Sequence, residues 1–263
     1  MKAWLFDVDG VITDINTKEV KYPQILQKIV ERLINNEPVG IITGRTLPKI
    51  INKIIAPIEK MASSNNVLDL LSAQGEFGGS SIEYKNGERL ILSEERFFLS
   101  EELIQKGKGI IEKFGDVVFF DLKKTFFTAE MKDGGNIEIF KARQKEIAEE
   151  LQKLVEKSGL NDSVEVHQDT IAVNVKNKKL NKHLATQKFL EWLAIKKIEP
   201  DTFYVFGDSA SDLQIGEELN NQGKKIKFIY TGAEDLGSLP FEIIKTQAKF
   251  DQGTVEYLLS KVQ

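Results

Sequence analysis

Four short apolar runs, each broken at its end by a polar or glycine-containing corner, constrain this chain more than any other feature. They are Ala3–Phe6 before Asp7, Val39–Ile42 before Thr43-Gly44-Arg45, Phe203–Phe206 before Gly207-Asp208, and Lys227–Tyr230 before Thr231-Gly232. Runs of this length without polar alternation suit strands buried on both faces, as in a parallel sheet. Helical stripes fill the gaps. Ile25, Ile29 and Leu33, with Leu26, Val30 and Ile34, follow Tyr22-Pro23, and Ala185, Phe189, Trp192 and Leu193 precede the third run. Strands alternating with helices predict an α/β fold, a Rossmann-like parallel-sheet core with helices on both faces.

The middle of the chain follows another rhythm. Glu101–Phe114 reads as a helix weakened by Gly107 and Gly109, and Val117–Phe120 pairs with Phe126–Met131 around Leu122-Lys123-Lys124. Ile147, Leu151, Leu154 and Val155 mark a second helix that ends at Gly159. Val164 and Val166, then Ile171, Val173 and Val175, alternate with polar residues as a half-buried antiparallel pair does. The chain of 263 residues has room for two domains. The predicted arrangement is a discontinuous core, residues 1–78 and 177–263, interrupted by an inserted α+β cap domain with an antiparallel sheet over 79–176. The expected hinges are Gly75–Gly79 and Asn174–Lys182.

Composition removes several functional classes. Lys and Arg number 36 against 40 Asp and Glu, a net charge of −4, so the basic excess of a nucleic-acid binder is missing. The absence of cysteine excludes disulfides, thiolate metal sites and cysteine nucleophiles. The two histidines, His167 and His183, leave little room for a histidine-rich metal centre. No run approaches the roughly 20 apolar residues of a membrane span, and the N-terminus lacks a signal-peptide apolar region. The expectation is a cytoplasmic protein with neither nucleic acid nor membrane as partner.

Chemistry concentrates at the strand ends. In Phe6-Asp7-Val8-Asp9-Gly10-Val11 two carboxylates stand two residues apart at a strand-to-loop corner. A hard cation such as Mg²⁺, which selects oxygen ligands, would offset the cost of placing them together. One carboxylate could then attack an electrophile while the other moves protons. Thr43-Gly44-Arg45 offers a hydroxyl and backbone N–H groups before a helix whose first turn accepts Pro48, a natural phosphate site. Gly207-Asp208-Ser209-Ala210-Ser211-Asp212 adds carboxylates for a metal, and Lys182 could neutralise a phosphoryl oxygen. Each element alone also fits a solvated turn, a helix cap or a surface lysine. Their order at successive strand and helix ends favours a shared site, because ligands of open α/β sheets bind at the carboxyl ends of strands.

These residues resemble the four motifs of haloacid dehalogenase-superfamily phosphohydrolases: Asp7-x-Asp9-Gly10-Val11, Thr43-Gly44-Arg45, Lys182, and Gly207-Asp208-x-x-x-Asp212. The insert lies where that superfamily carries its C2 caps, as in the Cof-type, sucrose-phosphatase, trehalose-phosphatase and phosphomannomutase branches. Ser72-Ala73-Gln74-Gly75-Glu76-Phe77 resembles the stretch leading into such a cap. Two positions depart from the pattern: Val11 stands where Thr is common, and His183 stands where Gly usually follows the lysine, which leaves Lys179 as an alternative match.

The resemblance implies an Mg²⁺-dependent phosphohydrolase acting on a small-molecule phosphate ester, with a sugar phosphate preferred. It implies Asp7 as nucleophile, Asp9 as acid and base, and Thr43 and Lys182 as further catalytic groups. It further implies phosphate binding at Gly44 and Arg45, and a metal held by Asp7, Asp9 (through its carbonyl), Asp208 and Asp212. Lys141, Arg143 and His167-Gln168-Asp169 are candidate substrate contacts in the insert. A phosphomutase and a non-catalytic binding protein of the same fold remain alternatives.

Overall fold

The computed structural model describes residues 1–260 apart from 63, 133 and 170, together with the backbone but not the side chain of Asn65. It divides into two compact units, Met1–Leu92 with Asn181–Gln263, and Ser93–Leu180. The first is built on an eight-stranded sheet. Its elements are β1 (Lys2–Phe6), α1 (Pro23–Ile34), β2 (Val39–Ile42), α2 (Leu47–Ile50), α3 (Ala56–Met61), β3 (Leu71–Gly75), β4 (Ser80–Lys85) and β5 (Glu88–Ser93). In the second unit come α4 (Glu101–Ile111), β6 (Val118–Leu122), β7 (Phe127–Met131), α5 (Ile137–Lys157), β8 (Val164–Gln168) and β9 (Ala172–Asn177). The chain returns to the first with α6 (Lys182–Ile195), β10 (Thr202–Gly207), α7 (Leu213–Asn221), β11 (Ile226–Tyr230), β12 (Glu242–Lys245) and α8 (Phe250–Ser260).

Strand order in the large sheet is β12-β11-β10-β1-β2-β3-β4-β5. From β12 to β3 every pairing is parallel, and β4 turns back antiparallel to β3. The expected four runs form β1, β2, β10 and β11, the centre and one flank of this sheet. Their pleat divides the core. Trp4 and Phe6 pack with Ile25, Ile29 and Leu33 of α1 and with Leu258 of α8, while Leu5 packs with Phe189 of α6 and Leu219 of α7 on the opposite face. Burying both faces is what makes the strand sequences continuously apolar. The expected α/β core with helices on both faces is therefore present.

The first unit extends past residue 78, where the sequence suggested that the insert begins. Gly75–Gly79 is instead the turn from β3 into β4: the Phe77 amide donates to the Thr43 carbonyl at 3.0 Å, and Glu76 and Phe77 both adopt positive φ. Because β4 pairs with β3 and β5 continues the sheet, the boundary falls at Leu92/Ser93. The second boundary is at Leu180/Asn181, since Asn174 lies within β9.

The inserted unit holds an antiparallel sheet in the order β6-β7-β9-β8. Leu103 and Ile111 of α4 and Phe140, Ile147, Leu151 and Val155 of α5 form one apolar cluster with Phe127, Val173 and Val175 of the strands. Gly107 belongs to the helix despite its poor propensity, because a Cβ there would overlap the Phe127 ring. Gly159, at φ 66°, follows the end of α5 as expected. Among the described residues no helix is long and apolar enough to cross a membrane.

Candidate active site

Parallel register brings the first and last motifs together. Phe6 lies opposite Phe206, so Asp7, just beyond β1, and Asp208, just beyond β10, leave neighbouring strand ends side by side. The Asp7 amide donates to the Phe206 carbonyl at 3.0 Å and holds that alignment one residue past the strand. Beyond it the chain turns sharply: the amides of Ile12 and Thr13 both donate to the Val8 carbonyl. Gly10 enters this turn at φ 73°, where a Cβ would also overlap the Asp208 carboxylate.

The third carboxylate comes from Asp212, which is fully buried before α7. One of its oxygens accepts from the amides of Asp208 and Ser209, each at 2.9 Å, and from the Ser209 hydroxyl at 2.8 Å. Its other oxygen pairs with the Lys182 ammonium, which also donates to Asp7 at 2.7 Å. Lys182 opens α6, whose N-terminus is capped by the Asn181 side chain on the Leu184 amide at 2.9 Å. Lys179 is exposed, so the lysine brought into the cluster is Lys182. His183 is accommodated beside it without positive φ.

Ligand oxygens of Asp7, Asp208 and Asp212 lie within 4.8 Å of one another. Lys182 is bonded to two of these three carboxylates, whose charges outnumber its own when all are ionised. Burial pushes Asp7 up to about 7, opposed by Lys182 and reinforced by Asp212 and Asp9. Burial likewise pushes Asp208 up to about 8, helped by Asp7 and Asp212. Burial would lower the Lys182 pKa, but Asp212 and Asp7 outweigh it and hold the ammonium charged. Hard oxygen donors, buried and short of positive charge, fit a magnesium ion.

Asp9 sits in a different field. Arg45 grips it in a fork, Nε to Oδ2 at 3.0 Å and Nη2 to Oδ1 at 2.6 Å, and the Lys18 ammonium lies 3.0 Å from Oδ1. Burial works to raise the Asp9 pKa, but Arg45 and then Lys18 prevail and hold it below the ordinary carboxylate value. The Asp9 carboxylate is thus outside the three-carboxylate cluster, and Arg45 is turned onto Asp9. Lys18 and Thr13, whose hydroxyl takes a further 3.3 Å contact from Arg45, had no local signal in the sequence, since loop closure alone brings them here. Thr43 is buried at the end of β2, its hydroxyl accepting from the Arg45 amide at 3.1 Å, and Gly44 lies so close under the Phe77 ring that a Cβ would overlap it.

The remaining candidates belong to the inserted unit. Lys141 donates to Gln144 at 3.0 Å and Arg143 pairs with Glu146 at 3.2 Å. His167 and Gln168 end β8, and the Asp169 amide donates to the Ala172 carbonyl at 2.8 Å.

A doubly wound sheet with carboxylates at adjacent strand ends, interrupted by an α+β insert, has the arrangement of the haloacid dehalogenase-type fold. Solved structures of that class are similar over almost the whole chain. The C-terminal domain of a C. albicans trehalose-6-phosphate phosphatase matches with TM-score 0.70 at 16% identity, over 98% of this chain and 90% of that one. A haloacid dehalogenase-like hydrolase from Bacteroides thetaiotaomicron matches with TM-score 0.68 at 12% identity, over 98% of each chain. Plasmodium falciparum IMP-nucleotidase matches with TM-score 0.54 at 13% identity, over 83% of this chain and 55% of its own. No family model matches the sequence, and no curated protein matches it.

Proposed function

We propose that the chain is an Mg²⁺-dependent phosphohydrolase of small phosphate esters, sugar phosphates among them, working through an aspartyl-phosphate on Asp7. The observation that carries this reading is the buried Asp7 carboxylate, bonded to Lys182 and flanked by Asp208 and Asp212 at adjacent strand ends. The structural neighbours, two of which are named as phosphatase or nucleotidase, support it at the level of fold.

Asp7 and Asp208 would hold the ion directly and the Asp9 carbonyl would add a ligand, while Asp212 supports the loop and Lys182. Magnesium bound there would supply two positive charges that screen the phosphoryl oxygens and keep Asp7 ionised. An Asp7 oxygen attacks phosphorus as the bond to the leaving oxygen breaks. Lys182 stands beside Asp7 to neutralise a phosphoryl oxygen, while the Thr43 hydroxyl and Gly44 amide orient the group. Asp9 gives a proton to the leaving oxygen, then takes one from the water that attacks phosphorus and frees Asp7. With Arg45 and Lys18 on it, Asp9 is set as the base. Its acid role requires Arg45 to turn away, and an anionic phosphoryl group is a competitor for that guanidinium.

Phosphate release from a panel of phosphate esters, with and without Mg²⁺, tests the reading. Release that needs Mg²⁺ and vanishes in Asp7→Asn is expected. A folded Asp7→Asn that still releases phosphate overturns the nucleophile assignment, and no turnover across the panel overturns the enzyme in favour of a binding protein. A hexose 1-phosphate in the panel separates hydrolysis from transfer to a 6-phosphate.

A further inference from the structure

The place of Lys182 depends on two helices. Its side chain is carried by α6, whereas Asp212, one of the two carboxylates that hold its ammonium, directly precedes α7. Whatever sets α6 against α7 therefore sets the ammonium in the cluster. Besides the Lys182–Asp212 pair, the backbone amide of Lys182 donates to Gln214 Oε1 at 3.1 Å.

The next residue reaches α7 as well. His183 Nε2 lies 3.5 Å from Glu217 Oε2, and its Nδ1 lies 3.5 Å from Glu218 Oε2, so one imidazole is within ion-pair distance of consecutive carboxylates of α7. Glu218 is not an incidental surface acid. It is only 5% exposed, its other oxygen accepts from Gln222 Nε2 at 3.0 Å, and a buried carboxylate is costly without such partners. His183 itself is one-third exposed and its charged partners are carboxylates of α7, so it acts on the cluster through the neighbouring Lys182.

Resting on the phosphohydrolase reading, we propose that His183 is a positioning residue that clamps the start of α6 to α7 and thereby holds the Lys182 ammonium between Asp7 and Asp212. The clamp acts on the reacting geometry more than on substrate capture, because its charged partners are Glu217 and Glu218 of α7 and it reaches Lys182 through the backbone of α6. Losing it lets the α6 terminus shift relative to Asp212 while the Asn181 cap and the Lys182 side chain remain.

The test is steady-state hydrolysis of p-nitrophenyl phosphate with Mg²⁺ by the full chain and by His183→Ala, His183→Gln, Glu217→Gln and Glu218→Gln. His183→Ala is expected to lower kcat about tenfold with KM within about twofold of the parent, the signature of lost positioning. His183→Gln, which keeps a donor toward α7, should recover part of kcat, and Glu218→Gln should lower it in the same direction as His183→Ala. Unchanged kcat in His183→Ala, or a loss confined to KM, overturns the clamp. So does His183→Gln that folds to the parental melting temperature yet is as slow as His183→Ala. If the parent chain itself releases no phosphate the phosphohydrolase reading fails first, a result distinct from a working parent with indifferent variants.

Discussion

Asp7 and Asp9 are the same residue type two positions apart, and their surroundings drive them in opposite directions. Asp7, buried with Asp208 and Asp212, is pushed up to about 7, whereas Asp9 is held below the ordinary value by Arg45 and Lys18 against its burial. Such splitting sets Asp9 as a base, while a metal beside Asp7 would return it to the charged form that attack on phosphorus needs. Arg45→Ala removes the cation that favours the charged form of Asp9, so the Asp9 pKa rises. The acidic limb of kcat, which contains the dephosphorylation step in which Asp9 is the base, should accordingly move to higher pH, read from a pH–rate profile with p-nitrophenyl phosphate at saturating Mg²⁺. An unmoved limb would mean that Asp9 does not govern it. The sequence made both aspartates visible as candidates, but Arg45 looked like a phosphate ligand because nothing local shows that it folds onto Asp9.

At the scale of the element, legibility followed burial on both faces. β1, β2, β10 and β11 stand out as apolar runs, whereas β3 carries Ser72 and Gln74 in its buried interior, and β4 begins with buried Ser80 and Ser81. Gln74 Nε2 donates to Ser72 Oγ at 3.0 Å, so these polar side chains partner each other inside the sheet and leave no apolar pattern to read. That is why Gly75–Gly79 read as a hinge and the insert was expected from residue 79, whereas the second unit begins at Ser93. A π-helical turn, Ile51–Ile55, joins α2 to α3 just before Pro57, whose missing N–H and ring are incompatible with an uninterrupted α-helical ladder. The cap of α6 is testable on the same scale. Asn181→Ala should cost about 1 kcal/mol and lower the melting temperature by about 2–4 °C, measured by calorimetry or circular dichroism. An unchanged melting temperature would show that Gln214 and His183 hold the helix start without the cap.

For the whole molecule, the raised carboxylates link stability to pH and to metal. The folded pKa values of Asp7 and Asp208, about 7 and about 8, exceed the ordinary 3.8, so the folded chain binds protons more tightly than the unfolded one. Their stabilising contribution is complete below about pH 4 and is lost as pH rises through 7 to 8. Mg²⁺ would take the place of those protons and favour the charged carboxylates. The rise in melting temperature on adding Mg²⁺ should therefore be larger at pH 8 than at pH 6, as thermal-shift measurements can check. Equal shifts at both values, or none, would count against a metal at Asp7 and Asp208.

The α/β class, the order of the chemical motifs and the presence of an α+β insert are legible in the residues alone, because they follow from apolar periodicity and from residue types at strand ends. Tertiary structure decided what depends on groups distant along the chain. Parallel register put Asp7 beside Asp208, α6 delivered Lys182 in preference to Lys179, and loop closure turned Arg45 and Lys18 onto Asp9. It also assigned β4 and β5 to the large sheet. Local pattern records which face of an element is buried; partner, register and electric field exist only once distant segments have met.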